Sequence, residues 1–231
     1  RELSTSSGSS QNKGSGAGSG PRPDSGVDAL HVRFNVDDKD NMLLVSADGC
    51  EATGQAEKQW TGARATHGVR SGKFYYEAHV QSKGICRVGF STMAAHHELG
   101  RDAHGFGYGG TGMKSFMNTF EAYGEPYGEG DVIGCLLDMT SYPPSIHFSK
   151  NGKALGRAFS LSEEHASSVL FPACVLKGAT IKINFGQTPF LCLPHGFRGI
   201  SAGDASSVVS SSNKEAFVVT GKRAPLVIIL E

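Results

Sequence analysis

The chain has no surplus of either charge, with 22 Lys and Arg against 22 Asp and Glu. That balance removes the electrostatic argument for nucleic acid or an anionic membrane as a partner, while leaving room for a local basic patch. No apolar run approaches the ~20 residues a membrane-spanning helix needs. The cysteines are Cys50, Cys86, Cys135, Cys174 and Cys192; they form no Cys-x-x-Cys pair and their number is odd. Neither a zinc site nor a disulfide framework is therefore favoured. Cys86, Cys135 and Cys174 fall in apolar runs, where a thiol acts as a small buried hydrophobe, as suits a reducing compartment. Helical periodicity is scarce as well; only 162–168 offers a turn or two. No secretory leader is recognisable and the first residue is Arg1, so a piece of a longer protein is expected.

What the chain has instead is strand material and turns. Val132 to Leu137 is nearly continuous apolar sequence, and the following arms around Asn151-Gly152 alternate apolar with polar residues. Asn-Gly predicts a two-residue type I′ hairpin, because both central residues of that turn need positive φ. Further strands are expected over 31–36, 42–46, 73–80, 86–91, 132–139, 146–149, 170–176 and 180–185. Many short strands with Gly-rich turns argue for an all-β, two-layer antiparallel sandwich.

Composition divides the chain into four parts. Residues 1–28 are dominated by Ser and Gly and read as a flexible linker. The sandwich is expected over 29–201, and a second Ser/Gly-rich linker over 202–223. Residues 224–231 form an uninterrupted apolar run, Ala-Pro-Leu-Val-Ile-Ile-Leu-Glu. Such strands sit inside parallel sheets covered by helices on both faces, and this chain has no helices to cover one. The run is therefore expected to pair outside the chain, in a larger α/β protein.

Each motif with chemical potential has a plainer reading. Gly105-Phe106-Gly107-Tyr108-Gly109-Gly110 satisfies G-x-G-x-x-G, and 107–115 narrowly misses a phosphate loop because Met113 separates Gly112 from Lys114. The dinucleotide fingerprint needs a helix after the glycines, and none is expected there. A strand whose glycines permit close packing, with Phe106 and Tyr108 alternating, fits better. His96, His97, Glu98, Asp102 and His104 carry metal-ligand chemistry but lack helical i, i+4 spacing, so a polar loop is the expectation and no metal is assigned. No Gly-x-Ser-x-Gly elbow or nucleophile with a partnered base is visible, and no catalytic residue is assigned. Trp60, Phe74, Tyr76, Phe90, Phe148 and Phe185 could form a base-stacking platform. Their period-2 placement favours core packing. Arg64, Arg70, Lys73, Arg87 and Lys114 are candidates for a basic face. Asp138, just after a buried strand, is expected to accept hydrogen bonds in a turn.

The ordered set Trp60, Gly62, Arg64-Ala65-Thr66, Gly72-Lys73-Phe74-Tyr75-Tyr76-Glu77, Arg87-Val88-Gly89-Phe90-Ser91, Gly134 with Asp138, Phe148 with Asn151-Gly152, Gly156 with Phe159, Phe171-Pro172-Ala173 and Asn184-Phe185-Gly186 resembles a SPRY domain. The flanking linker and terminal apolar run resemble the DEAD-box RNA helicases, in the arrangement where SPRY is inserted into the first RecA-like domain. This resemblance implies a concanavalin-like sandwich that binds a protein or RNA partner through loops, without an active site. It places the contact surface at Arg64, Arg70, Arg87 and Lys114. It further implies a parent that remodels RNA with ATP and magnesium, in cytoplasm or nucleus, while this monomeric module holds no cofactor. A stand-alone SPRY adaptor and a lectin-like carbohydrate binder are the alternatives.

Overall fold

The computed structural model describes residues 29–213. The strands in chain order begin with β1 (Phe34–Lys39), β2 (Leu43–Val45), β3 (Glu51–Gly54), β4 (Thr61–Ala65), β5 (His67–Val69) and β6 (Lys73–Val80). They continue with β7 (Ile85–Ser91), β8 (Gly105–Gly109), β9 (Met113–Phe116), β10 (Thr119–Ala122), β11 (Val132–Asp138) and β12 (Ser145–Lys150). The last are β13 (Lys153–Ser160), β14 (Phe171–Lys177), β15 (Ala179–Asn184), β16 (Arg198–Gly199) and β17 (Val208–Ser210). One helical turn, α1 (Glu163–Ala166), is capped by Ser162 where a turn or two was expected.

Two antiparallel sheets face each other. The first runs β1-β4-β14-β7-β8-β9-β10, and the second runs β13-β12-β11-β6-β15-β3-β2, with the two-residue β16 alongside β6 as the one parallel pairing among the described strands. Alternation explains the layering, because successive side chains on a strand point to opposite faces. In β6, Phe74, Tyr76, Ala78 and Val80 enter the core, where Phe90, Phe106, Tyr108, Phe148 and Phe185 meet them. Tyr76 packs edge-on to Phe90 at 5.4 Å between centroids. The expectation of enclosed rings holds for all the named aromatics except Trp60.

The outer faces are covered too, which simple alternation does not anticipate. Tyr75 and Glu77 point away from the core of β6 yet are almost completely buried. Residues 186–197 cross above them. Phe190 packs edge-on to Tyr75 at 5.0 Å, and the backbone N–H groups of Leu191 and Cys192 donate to the Glu77 carboxylate at 3.1 and 3.0 Å. Burial alone would raise the Glu77 pKa, but hydrogen bonds from His79, these two amides and the Tyr75 hydroxyl hold it below its usual value.

The 202–223 segment expected as a linker is ordered at its start. Val208–Ser210 pairs with His67–Val69 as a small third sheet, and Val208 and Val209 are buried. Two valines between Ser-rich stretches are enough because Val209 packs on Phe171 and Val169. The 1–28 linker and the apolar run 224–231 lie outside the described residues. Cys86, Cys135 and Cys174 are buried, and burial pushes the Cys86 thiol up to about 12 and raises the other two as well.

The Asn151-Gly152 hairpin has the expected geometry, with φ of 50° and 82° between the paired Lys150 and Lys153. Gly152→Val places a β-branched residue in the left-handed region, at a cost of about 1–2 kcal/mol. The denaturation midpoint should fall for Gly152→Val and fall less for Gly152→Asn. Equal midpoints for Val and the parent would mean that the turn is not held in this conformation.

Candidate interaction surface

Residues 92–104 lie flat across the outer face of the first sheet. Their seat is made by what β4 and β8 lack: Gly62, Gly105 and Gly107 turn outward, and Phe106 and Tyr108 turn into the core. Leu99, almost fully buried, packs there against Ala173 and Val175. A Cβ on Gly62 would sit 2.2 Å from the His97 carbonyl oxygen. The Gly-rich motif thus serves close approach, as its plainer reading held, and the chain after it continues into β9, with no helix.

Two arginines from the sheet pin this loop. Arg64 makes a two-pronged contact with Asp38, with Nε and one terminal nitrogen each 2.6 Å from the carboxylate oxygens; its other terminal nitrogen donates to the Ala95 carbonyl at 2.8 Å. Such forked pairs fix orientation as well as charge. His97 lies between Asp38 (2.9 Å) and Asp40 (3.2 Å), and Asp40 also accepts from the Gly62 N–H. Asp102 accepts from the His96 and His104 amides at 2.6 and 2.9 Å. The His/Asp cluster therefore has a structural occupation in holding the loop. Among the described residues no three His, Cys, Asp or Glu side chains gather into a metal-holding group.

Arg87 anchors the same loop further along, donating to the Leu99 carbonyl at 3.0 Å, with Glu98 at 4.0 Å. Its guanidinium lies over the Trp60 ring at 4.4 Å and the Phe120 ring at 5.0 Å, distances at which cation–π attraction operates. Desolvation lowers the Arg87 pKa within a range that leaves it charged. Only one of its N–H groups donates within the described residues. Trp60, expected in the core, is instead half-buried on this outer face, because it precedes β4 and falls outside the core-facing alternation. Ile85 and Phe120 are 43% and 46% exposed beside it.

The four sequence-derived contact residues do not share one face. Arg64 and Arg87 sit beneath the 92–104 loop. Lys114 lies on the opposite side of the same sheet, donating to the Ala158 carbonyl at 3.0 Å and pairing with Glu121 at 3.1 Å. Arg70 is exposed beside the third sheet, where its amide donates to Ser207. Lys73 pairs with Asp138 at 3.0 Å. Asp138 also accepts from the Thr140 amide, the Thr140 hydroxyl and the Ser141 amide, the turn role expected of it.

The Asp38–His97 anchor has a pH signature. Burial would raise Asp38, yet hydrogen bonds from His97 and Arg64 hold it at about 2, and the Asp38 contact raises His97 above its usual 6.5. A raised His pKa contributes stability in full below the unfolded value and loses it as pH rises through the folded one. A lowered Asp pKa contributes in full above 3.8 and loses it toward about pH 2. The stability gap between the parent and His97→Gln should thus be widest from about pH 4 to 6.5 and narrow above it. Chemical denaturation at pH 5.5 and 8.5 checks this; a gap that widens at the higher pH contradicts it.

The SPRY domain family pattern matches residues 73–188. The chain is 48% identical over 164 residues to the ATP-dependent RNA helicase Ddx1 of Drosophila melanogaster, covering 70% of this chain and 22% of that protein. It is 39% identical over 204 residues to ATP-dependent RNA helicase DDX1 of Xenopus laevis, covering 86% of this chain and 27% of that one. Heterogeneous nuclear ribonucleoprotein U-like protein 2 of Mus musculus is 37% identical over 156 residues, 62% of this chain and 21% of that protein. The chain thus spans roughly a quarter or less of the curated relatives it matches. The crystal structure of the SPRY domain of human HERC1 superposes with a TM-score of 0.56 at 24% identity, covering 68% of this chain and 99% of that one, a likeness of fold. Its ordered signature residues, the sandwich they build and this match place the chain in the SPRY domain family.

Proposed function

We propose that the chain is the protein-interaction module of a larger ATP-dependent RNA helicase of the DEAD-box class, which acts on RNA in the cytoplasm, the nucleus or both. What carries the reading is the 48% identity to a named RNA helicase over most of this chain, confined to a fifth of that relative. ATP, magnesium and RNA are held by the remainder of the parent protein. The module contributes a contact surface and acts as a monomer.

Within the module, the contact is assigned to Arg87 with Trp60 and Phe120. The half-buried Trp60 ring and the exposed Phe120 ring around a largely buried arginine that donates through only one N–H group have the composition of an interface hot spot. Arg64 serves the contact indirectly, by holding the 92–104 loop; Arg70 and Lys114 lie outside this patch.

Two measurements test the proposal. The gene downstream of Glu231 should encode Pro-Thr/Ser-Arg-Glu-Leu and then Asp-Glu-Ala-Asp, and the full protein should hydrolyse ATP in response to RNA while this chain alone does not. A stop codon there would favour a stand-alone adaptor. For the surface, a partner captured by the chain in nuclease-treated extract should bind Arg87→Ala and Trp60→Ala at least tenfold more weakly. Trp60→Ala should cost about half of the ~3–5 kcal/mol typical of an enclosed ring, so folding survives. Undiminished capture by both variants would remove the patch from the proposal.

A further inference from the structure

The two sheets end side by side at β10 and β13, and these neighbouring edges are treated differently. On β13, the Gly156 carbonyl accepts from the Tyr123 hydroxyl at 2.6 Å and the Ala158 carbonyl accepts from Lys114 at 3.0 Å. A side chain from β9 and that of Tyr123, the residue after β10, thereby cover that edge, a common way of blunting an exposed strand. β10 has no such cover.

The register says which β10 groups are open. β9 and β10 are joined by Met117 and Asn118, both at positive φ (51° and 57°), a two-residue turn with Phe116 paired to Thr119. The pair closing such a turn exchanges both hydrogen bonds, and hydrogen-bonded pairs then alternate along the ladder. Thr119 and Glu121 consequently bond inward to β9, and the N–H and C=O groups of Phe120 and Ala122 point away from it. Among the described residues nothing donates to or accepts from those outward groups. All four β10 residues are exposed.

Beside this edge, between β10 and β13, lies a cavity of about 300 Å³. Phe116, Met117 and Phe159 supply apolar walls, and Lys114 and Glu121 line it at the polar side. Thr119 and Glu121 face the cavity; Phe120 faces the opposite way, toward Arg87.

We propose that β10 is a docking edge for an extended segment of a protein partner, which adds as a further strand of the first sheet. Only a peptide backbone offers the alternating donors and acceptors that the outward groups of Phe120 and Ala122 require. Side chains of the added strand alternate between faces, so every second residue meets the cavity. The one beside Thr119 fills the Phe116–Met117–Phe159 wall and is apolar. The one beside Glu121 is Lys or Arg, sharing with Lys114, 3.1 Å away, a carboxylate side chain that is 61% exposed. The proposal rests on the module reading but not on the Arg87 patch, which lies on the other side of the sheet.

The test is selection of displayed random nonapeptides against the full chain. The expected winners alternate apolar residues with a Lys or Arg, protect the Phe120 and Ala122 amides from hydrogen exchange, and bind Ala122→Pro at least tenfold more weakly than Ala122→Ser. Proline removes only an outward N–H there, so the ladder persists and the Glu121 amide should stay protected. Should Ala122→Pro misfold, Glu121→Lys decides, since it should invert the selected charge to Asp or Glu. Selection of no peptide, binding indifferent to both substitutions, or protection elsewhere overturns the proposal. So does displacement of the peptide by single-stranded RNA, or a dimer of the chain itself that Ala122→Pro dissolves.

Discussion

The fold depends on the absence of side chains at a few outward positions of the first sheet. Where Gly62, Gly105 and Gly107 face out, a loop of thirteen residues between β7 and β8 can lie at backbone distance from the strands. Leu99 then finds a dry seat on Ala173 and Val175, and the loop carbonyls come within reach of Arg64 and Arg87. Without that approach, two arginines on a sheet face would have no reason to be buried. Burying a charge is costly unless it is paired, and breaking a buried pair by removing one partner typically costs about 3–5 kcal/mol. The forked contact with Asp38 is what makes the burial of Arg64 tolerable.

The second sheet solves a similar problem with the opposite chemistry. Here a buried carboxylate, Glu77, receives the backbone amides of a crossing segment, and Tyr75 and Phe190 supply the apolar contact. Each sheet is thus covered on its outside by irregular chain pinned to a charged residue. Stabilisation of this kind leaves loops ordered and their tips exposed, which is the arrangement a recognition module needs. Leu191 and Leu193, 63% and 46% exposed, show how much apolar surface such a segment leaves to solvent.

Strand period and turn chemistry made much of the fold legible. Asn151-Gly152, the alternation in β6 and the apolar run of β11 each carry a local signal whose physical cause is local. In β8 the alternation of Phe106 and Tyr108 with glycine is such a signal too, whereas β4 is harder to read, because Thr61–Ala65 is short, mostly small-residued and becomes a strand through its neighbours. The Met117-Asn118 turn was hidden for a related reason: Met is unusual at positive φ, and its amide is held there by the Asp102 carbonyl at 3.0 Å. For the surface, the residue types were legible and their directions were not. Arg64 and Arg87 look like surface cations until Asp38 and the Leu99 carbonyl are seen to meet them. Trp60 looks like core until its place before β4 turns it outward. Glu77 gave no warning of its burial, since the backbone amides of the segment that covers it lie more than a hundred positions away.

The claim that glycine at the seat determines the loop is tested most directly at Gly62. A single methyl group there would meet the His97 carbonyl oxygen at 2.2 Å and the Cys174 carbonyl oxygen at 2.8 Å, both backbone atoms with little freedom to yield. Amide hydrogen exchange of Gly62→Ala, read residue by residue against the parent, should show at least tenfold faster exchange across 93–102 with β6 and β11 unchanged. Unaltered protection of that loop would contradict the account.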